Sequence, residues 1–176
     1  MLEIAQIESL VRDVPDFPKK GVIFKDITTI ITEPGALGDT VSHMQQSLED
    51  LDYDAVAAIE SRGFIFGSVL AERESLPLVL VRKPGKLPAD TISEDYQLEY
   101  GSNTVEMHRN SLPEGSRVLL VDDLVATGGS MLAAARLIQR DGCQVAGAVA
   151  VINLAFLGGG ARIVDKGYEY RYLIEY

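Results

Sequence analysis

The segment VLLVDDLVATGGS, at residues 118–130, combines two adjacent aspartates with two adjacent glycines. The apolar run before Asp122 and Asp123 predicts a buried strand, and the residues after Gly129 have the composition of a helix. In open parallel sheets, ligands bind at the edge where strands end and helices begin. We therefore take this segment as the first candidate for a binding site.

The glycine loop predicts an anion site built from main-chain donors. Its glycines let the backbone turn closely, so several amides can converge on one anion at a helix N-terminus, where the helix dipole also favours negative charge. The residues predicted to bind a phosphate are Ala126, Thr127, Gly128, Gly129 and Ser130. An acidic turn followed by a Ser or Thr helix cap is the alternative interpretation, but it explains neither the second aspartate nor both glycines.

Asp122 and Asp123 would repel a phosphate in direct contact, so we interpret them as acceptors for hydroxyl groups one sugar length away. Hydroxyl acceptors beside phosphate donors describe a site for ribose 5-phosphate. Two other phosphate-loop patterns, GxxxxGK followed by Ser or Thr and GxGxxG after a strand, do not occur in the sequence.

Basic residues follow two other apolar runs. Ser61, Arg62 and Gly63 follow one run, and Arg82 and Lys83 end the other at the same sheet edge. Basic residues gather at Lys19, Lys20 and Lys25 and again at Arg82, Lys83 and Lys86, which is consistent with binding a small polyanion. Taken locally, Arg62 and Lys83 are also consistent with solvated surface charges.

Apolar runs predict four buried strands, and the stretches between them predict helices. The predicted strands are 55–59, 78–81, 117–121 and 145–152. The predicted helices are 34–50, 64–75 and 130–141. Alternating strands and helices predict an α/β fold with a mainly parallel twisted sheet flanked by helices. The final segment, YEYRYLIEY, alternates apolar and polar residues and predicts an edge strand.

Residues 84–108 interrupt this alternation. They begin with Pro84, Gly85 and Pro88 and continue as a polar, alternating segment, which predicts a protruding hairpin rather than a core element. Such a hairpin is consistent with a mobile lid over a site, and equally with an ordinary surface hairpin.

Composition narrows the class of protein. A chain of 176 residues that is 47% hydrophobic can bury one core, so a single domain over 1–176 is predicted. A single cysteine, Cys143, indicates a buried thiol in a reducing compartment. Without an apolar run suited to a signal peptide or a membrane span, the sequence predicts a cytoplasmic protein. The net charge of -10 argues against nucleic-acid and anionic-membrane binding.

The segment VLLVDDLVATGGS resembles the phosphoribosyl pyrophosphate motif of the type I phosphoribosyltransferases. Four further segments are similar, in order and spacing, to the adenine phosphoribosyltransferases of that family. They are FPKKGVIFKDIT at 17–28, ESRGFIFG at 60–67, VRKPGKLP at 81–88 and YQLEYGS at 96–102. The resemblance covers most of residues 15–135. It implies the parallel-sheet fold, with a small hood at about 1–30 and 153–176 and a flexible hairpin lid at about 84–108.

The resemblance implies transfer of the 5-phosphoribosyl group from phosphoribosyl pyrophosphate to adenine, giving AMP and pyrophosphate in purine salvage. The residues implied to bind pyrophosphate are Ser61, Arg62, Gly63, Arg82, Lys83 and Lys86. A cis peptide between Glu60 and Ser61 is implied in this loop. Arg62, Lys83 and Glu99 are implied to be catalytic, the two cations because positive charge stabilises a departing pyrophosphate.

The resemblance also implies where the purine binds. The segment at 17–28 is expected to be a loop folded over the sheet edge rather than a core strand. Phe24 would stack on the purine while backbone groups of Ile23 and Lys25 read its edge, and a backbone acceptor there would favour adenine over a 6-oxopurine. Leu124 would cover the opposite face. Phe24 also suits an anchor that holds the N-terminal loop to the core.

The lid carries Glu99 and Tyr100. Glu99 is implied to approach the imidazole edge of the purine as a proton donor or acceptor when the lid closes. Considered without the resemblance, one glutamate on a polar hairpin suits simple solvation.

Mg²⁺ is the implied cofactor, held through pyrophosphate oxygens, ribose hydroxyls and water near Asp122 and Asp123, with no direct protein ligand. A homodimer is the implied assembly. Ser130 stands where Thr is more usual, and Lys20 stands where proline often precedes the glycine. Residues 153–163, NLAFLGGGARI, lack the charged Leu-x-Gly-x-x-Lys-Leu pattern expected after the last core strand, which puts a site function for that stretch in doubt.

Two alternative functions stay open. A phosphoribosyltransferase for xanthine, hypoxanthine or orotate would share the aspartate motif but should differ in the hood and in LEYG at 98–101. A non-catalytic regulator of transcription that binds phosphoribosyl pyrophosphate would normally need a DNA-binding module or a basic face, and the acidic sequence offers neither.

Overall fold

The computed structural model describes residues 1–97 and 102–176. These residues form two compact units, Met1–His43 and Met44–Tyr176, which are described separately. The prediction of one domain over 1–176 stays a prediction. Among the described helices, none combines the length and the apolar character needed to cross a bilayer.

The first unit contains short helices and a small antiparallel sheet. Its elements are α1 (Ile4–Leu10), β1 (Arg12–Pro15), β2 (Ile23–Asp26), α2 (Thr28–Thr32) and the start of α3 (Ala36–Ser47). Strands β1 and β2 pair antiparallel, with Val14 opposite Phe24. The expectation of a loop at 17–28 is therefore wrong for Ile23–Asp26, because the backbone of that stretch is paired by β1.

The second unit is built on a five-stranded parallel sheet. Its elements are β3 (Ala55–Ile59), α4 (Gly63–Glu74), β4 (Leu78–Val81), β5 (Thr91–Gln97), β6 (Ser102–His108), β7 (Arg117–Val125), α5 (Gly129–Arg140), β8 (Gln144–Asn153), a 3₁₀ turn (Ala155–Leu157), α6 (Gly159–Asp165) and β9 (Tyr170–Glu175). The strand order is β4-β3-β7-β8-β9, and every neighbouring pair is parallel. This order confirms the predicted parallel α/β sheet.

Burial explains why the central strands are continuously apolar. All five residues of β3 are buried, as are Val118 to Asp123 of β7, because elements pack on both faces of a parallel sheet. Helix α4 lies close to the sheet at Gly67, where an added Cβ would stand 2.6 Å from the Cβ of Ala58. Small residues at this contact bring the start of α4 to the same edge as the ends of the strands.

The hairpin of β5 and β6 departs from the sequence expectation. Ile92, Val105 and Met107 are buried and belong to the main apolar core. Glu94 also pairs with Arg136 and Arg140 of α5, at 2.5 and 2.8 Å. The alternating pattern arose because one face of the hairpin packs on the core, so its base is a core element and not a protruding one.

The C-terminal segment also differs from its expected place. We assigned residues 153–176 to the hood, but Tyr170–Glu175 forms β9, the edge strand of the five-stranded sheet beside β8. The edge-strand prediction for this segment is confirmed. Tyr170 and Ile174 are buried, whereas Tyr172, between them on the same face of the strand, is exposed.

Candidate active site

A cleft of about 470 Å³ lies where β3, β4 and β7 end. It is lined by Glu60, Ser61, Arg62, Lys83, Lys86, Asp122, Asp123 and Leu124. Seven of these eight residues were candidates from the sequence, and they meet because parallel neighbouring strands direct their carboxyl ends to one edge of the sheet. The exception is the carboxylate of Glu60.

The two aspartates lie inside β7 rather than after it. The strand runs on to Val125 because Leu124 and Val125 still pair with Ile152 and Asn153 of β8. The predicted strand end at residue 121 was therefore too early. Asp122 and Asp123 are only 8% and 4% exposed, which is unusual for adjacent carboxyl groups.

Burial changes the acidity of this pair. Desolvation raises the pKa of Asp122 well above its ordinary value, and the neighbouring charge of Asp123 raises it further. Desolvation also raises the pKa of Asp123, although Arg62 opposes that change. The Oδ2 atom of Asp123 is buried and is paired with Arg62, and a carboxylate oxygen has a further lone pair that can accept a second hydrogen bond. A buried acceptor in this state is suited to a hydroxyl or water donor supplied by a ligand.

Arg62 reaches Asp122 and Asp123 because Gly63, the next residue, lets the start of α4 approach β7 closely. Its Nε lies 2.9 Å from Asp123 Oδ2, an ion pair between the end of β3 and β7. Gly63 starts α4 against β7, and a Cβ there would stand 2.9 Å from both Asp122 Oδ1 and the carbonyl oxygen of Val121. Only glycine permits this approach. The peptide between Glu60 and Ser61 is cis, as the resemblance implied.

Glu60 holds the cations that we expected to face pyrophosphate. Its carboxylate lies 3.1 Å from Arg82 Nε and 2.8 Å from Lys86 Nζ, and it accepts a hydrogen bond from the Lys83 amide at 3.0 Å. Burial acts to raise the pKa of Glu60, but the hydrogen bonds from Lys86, Lys83 and Arg82 outweigh it and lower the pKa to about 2. Glu60 is therefore a negative charge within the cleft.

Sequence reasoning missed this carboxylate. Its signal was present, since Glu60 directly follows a buried strand and shares the sheet edge with the three basic residues of the segment 82–86. Arg82 also stacks near Phe64, with its guanidinium carbon 5.8 Å from the ring centroid. Within the described residues the Lys83 ammonium makes no ion pair, so it differs from its two basic neighbours.

The predicted phosphate loop connects β7 to α5. Gly128 adopts φ +76°, and α5 begins at Gly129, so the loop turns into the helix where the glycines predicted it. Three consecutive carbonyls of this region accept hydrogen bonds from the segment 154–162. Leu154 N–H donates to Val125 at 2.9 Å, Gly159 N–H donates to Ala126 at 3.0 Å, and Arg162 Nη1 donates to Thr127 at 2.7 Å.

The segment 153–163 is thus in direct contact with the loop. Its spacing, Leu157-x-Gly159-x-x-Arg162-Ile163, departs from the expected pattern only by Arg for Lys and Ile for Leu. A Cβ on Gly159 would stand 2.2 Å from the Ala126 carbonyl oxygen, so this contact also requires glycine. The run of three glycines at 158–160 was the signal for it.

The other candidates from the sequence are not among the described residues that line this cleft. Ile23, Phe24 and Lys25 belong to β2 of the first unit, where Phe24 makes an edge-to-face contact with Phe17 at 5.1 Å and Lys25 Nζ lies 2.7 Å from Asp13. Their predicted contact with a purine stays a prediction. Glu99 and Tyr100 fall outside the described residues.

Comparison with known proteins identifies the family. Residues 31–174 match the phosphoribosyl transferase domain. The adenine phosphoribosyltransferase of Chlorobium phaeobacteroides is 50% identical over 165 residues, which are 93% of each chain. The solved adenine phosphoribosyltransferase of Thermoanaerobacter pseudethanolicus is 43% identical, with a TM-score of 0.94 over 98% of this chain and 99% of that one.

The APRTase of Giardia lamblia, solved in complex with 9-deazaadenine, is 32% identical, with a TM-score of 0.93 over 100% of this chain and 99% of that one. These likenesses confirm the predicted fold, since they extend over nearly the whole length of both partners. The chain therefore belongs to the type I phosphoribosyltransferases and, within them, to the adenine phosphoribosyltransferases.

Proposed function

We propose that this protein transfers the 5-phosphoribosyl group of phosphoribosyl pyrophosphate to adenine, giving AMP and pyrophosphate in purine salvage. The observation that carries the proposal is the cleft in which the buried Asp122–Asp123 pair adjoins the cations of the strand ends. Membership in the adenine phosphoribosyltransferase family supports the same reaction. The aspartates are suited to accept hydrogen bonds from the sugar hydroxyls, and the cations are suited to bind the pyrophosphate leaving group.

The first step is positioning of the sugar substrate. The amides of the loop Ala126–Ser130 bind the 5-phosphate, while Asp122 and Asp123 accept hydrogen bonds from the ribose hydroxyls. The buried Asp123 Oδ2 supports this assignment, because it can accept a hydrogen bond from a sugar hydroxyl in addition to its ion pair with Arg62. Held at both ends, the ribose presents its anomeric carbon to the base, which replaces a bimolecular encounter by a fixed geometry.

The second step is departure of pyrophosphate. The groups proposed to bind it are Ser61, Arg62, Gly63, Arg82, Lys83 and Lys86. A bond forms between the purine nitrogen and the anomeric carbon as the bond from that carbon to the pyrophosphate oxygen breaks. Negative charge then grows on the leaving group and positive charge grows on the sugar in the transition state. Arg62 and Lys83 are the catalytic cations, since they stabilise the leaving group more in the transition state than before it.

The base is proposed to bind through the first unit and the lid. Backbone groups of Ile23 and Lys25 recognise the edge of adenine, Phe24 stacks on one face of it, and Leu124 covers the other. Glu99 exchanges a proton at the imidazole edge, with Tyr100 beside it on the lid. The 9-deazaadenine in the Giardia lamblia relative supports adenine as the base.

Mg²⁺ is the proposed cofactor. It would be bound through the substrate and water beside Asp122 and Asp123. Carboxylate oxygens are the donor type that this ion prefers. When bound, it would neutralise charge on the pyrophosphate. We also propose that the protein is a cytoplasmic homodimer. It is not proposed to bind nucleic acid or membranes.

A panel of bases tests this function. Purified protein is given phosphoribosyl pyrophosphate and Mg²⁺ with adenine, guanine, hypoxanthine, xanthine or orotate, and pyrophosphate release is measured. We expect turnover with adenine and its loss when EDTA removes the metal. Equal or faster turnover of a 6-oxopurine would contradict the adenine assignment. Tight binding of phosphoribosyl pyrophosphate without release of pyrophosphate would instead indicate a non-catalytic regulator.

A further inference from the structure

Hydrogen bonds without an assigned function join the segment 154–162, which includes the start of α6, to the phosphate loop. Val125, Ala126 and Thr127 have consecutive carbonyls, and all three accept hydrogen bonds from residues 154–162. In a regular strand, successive carbonyls alternate between the two sides. These three successive carbonyls depart from that alternation, since each has a partner in the same segment, and the third partner is the side chain of Arg162.

The direction of these carbonyls fixes the direction of the amides. In a planar trans peptide, the C=O of one residue and the N–H of the next point in opposite directions. Because the carbonyls of Ala126 and Thr127 face residues 158–162, the N–H groups of Thr127 and Gly128 face away from them. Neither amide donates a backbone hydrogen bond within residues 1–97 and 102–176. Successive amides arranged in this way form a concave anion-binding surface.

We propose that Arg162 is a positioning residue of the phosphate loop, which acts by holding the Thr127 carbonyl so that the Gly128 amide points at the 5-phosphate. Gly159 holds the preceding peptide through its own N–H, and its missing Cβ lets the backbone approach. Arg162 acts from behind the loop and touches no substrate. The inference rests on the proposed function, because that function supplies the phosphate.

The contribution of Arg162 is confined to one end of the ligand site. The groups proposed to bind pyrophosphate lie on the loops after β3 and β4, whereas the Arg162 side chain donates its hydrogen bond to the loop after β7. Loss of the Arg162 hydrogen bond should therefore weaken ligands that carry the 5-phosphate and spare pyrophosphate. A role in overall stability would weaken both ligands together.

The test compares Arg162→Ala and Arg162→Lys with the wild type. Titration calorimetry measures binding of AMP, adenine and pyrophosphate, and thermal unfolding is followed in parallel. We expect Arg162→Ala to weaken AMP about tenfold, with adenine and pyrophosphate within about twofold. Arg162→Lys should restore most of the AMP affinity, because an ammonium group can donate to the same carbonyl. Arg171→Ala is the matched control, since Arg171 pairs with Glu169 and Asp50 instead.

Three results would overturn the inference. They are unchanged AMP binding in Arg162→Ala, equal losses for AMP and pyrophosphate, and no recovery in Arg162→Lys although it unfolds at the wild-type temperature. Failure of the wild type to bind either AMP or pyrophosphate would contradict the proposed function itself. The two failures are therefore distinguishable from the same set of titrations.

Discussion

The phosphate loop and the cation cluster occupy one edge of the sheet but are built differently. The loop at 126–130 uses backbone donors fixed by contacts with Gly159 that leave no space for a Cβ. The cluster at 82–86 uses long side chains, and two of its cations are paired with Glu60. A backbone site is rigid and pre-formed, whereas a side-chain site can exchange partners when an anion arrives.

This difference suits the two ends of the proposed substrate. The 5-phosphate remains on the sugar throughout the reaction, so a fixed receptor has no disadvantage there. Pyrophosphate must be bound and then released, and Glu60 offers Arg82 and Lys86 an alternative partner after it leaves. The carboxylate also prevents the cleft from accumulating uncompensated positive charge.

The largest effect is expected from Gly159→Ala, which disrupts the close packing that holds the backbone of the phosphate loop. The new Cβ would stand 2.2 Å from the Ala126 carbonyl oxygen and 2.6 Å from the Gly128 nitrogen, so the loop must move. We expect a loss of about 3 kcal/mol in the free energy of unfolding. Lost donors to the charged phosphate should weaken AMP about 100-fold. Denaturant unfolding and AMP titration measure the two quantities.

Gly158→Ala is the control for this change. Gly158 has φ +71° but has open space around its Cβ position, so only backbone strain of about 1 kcal/mol is expected. If Gly159→Ala binds AMP as well as Gly158→Ala does, the loop is not held by close packing.

An intermediate effect is expected from Asp122→Asn. Burial and the charge of Asp123 raise the pKa of Asp122, so its ionised form costs stability, and the wild type loses stability as pH rises through that raised pKa. Asparagine removes this cost, so the variant should melt about 2 to 4 °C higher than the wild type at pH 8. The advantage should shrink toward pH 5. Loss of a charged hydroxyl acceptor should lower kcat/KM by about 10-fold to 100-fold.

Asp54→Asn provides a control of opposite sign. The hydrogen bond from Arg117 lowers the pKa of Asp54 to about 2, so its charge is favoured in the folded protein at neutral pH. Thermal unfolding of this variant at pH 8 should show a lower, not a higher, melting temperature. Destabilisation of Asp122→Asn at pH 8 would contradict the proposed cost of the buried charge.

The smallest effect is expected from Glu60→Gln, which tests whether the side chains of the cation cluster exchange partners. Removing the carboxylate frees Arg82 and Lys86 and removes a repulsive charge, so pyrophosphate should inhibit at about fivefold lower concentration. The pKa of Glu60 is lowered to about 2, so Glu60 stays ionised from about pH 5 to 8. The ratio of the inhibition constants for pyrophosphate, variant to wild type, should therefore stay constant over that range.

The same variant makes an acid-stability prediction. Glu60 contributes stability above its ordinary pKa of 4.5, and that contribution is lost as pH falls toward 2. Glu60→Gln should lose less stability across this interval than the wild type. Glu106→Gln is the control, because Glu106 accepts a hydrogen bond from Gly85 but does not line the cleft. Unchanged or weaker inhibition of Glu60→Gln by pyrophosphate would refute the exchange of partners.

The sequence by itself determined the elements and most residues of the cleft. Runs such as AVAAI and LVLV are buried strands because a central parallel strand has no solvent face, and side chains at their ends must meet at one edge. The glycines of the loop predicted a turn into a helix because few other residues adopt a positive φ. These are local properties of the chain.

Only the tertiary structure decided which partners those residues have. Glu60 and Arg82 are 22 residues apart, and Arg162 and Thr127 are 35 apart, so no local pattern reveals that they touch. The length of β7 depended on pairing with β8, and the buried face of the hairpin depended on packing against the core. Such contacts depend on how distant elements pack, which spacing along one chain does not specify.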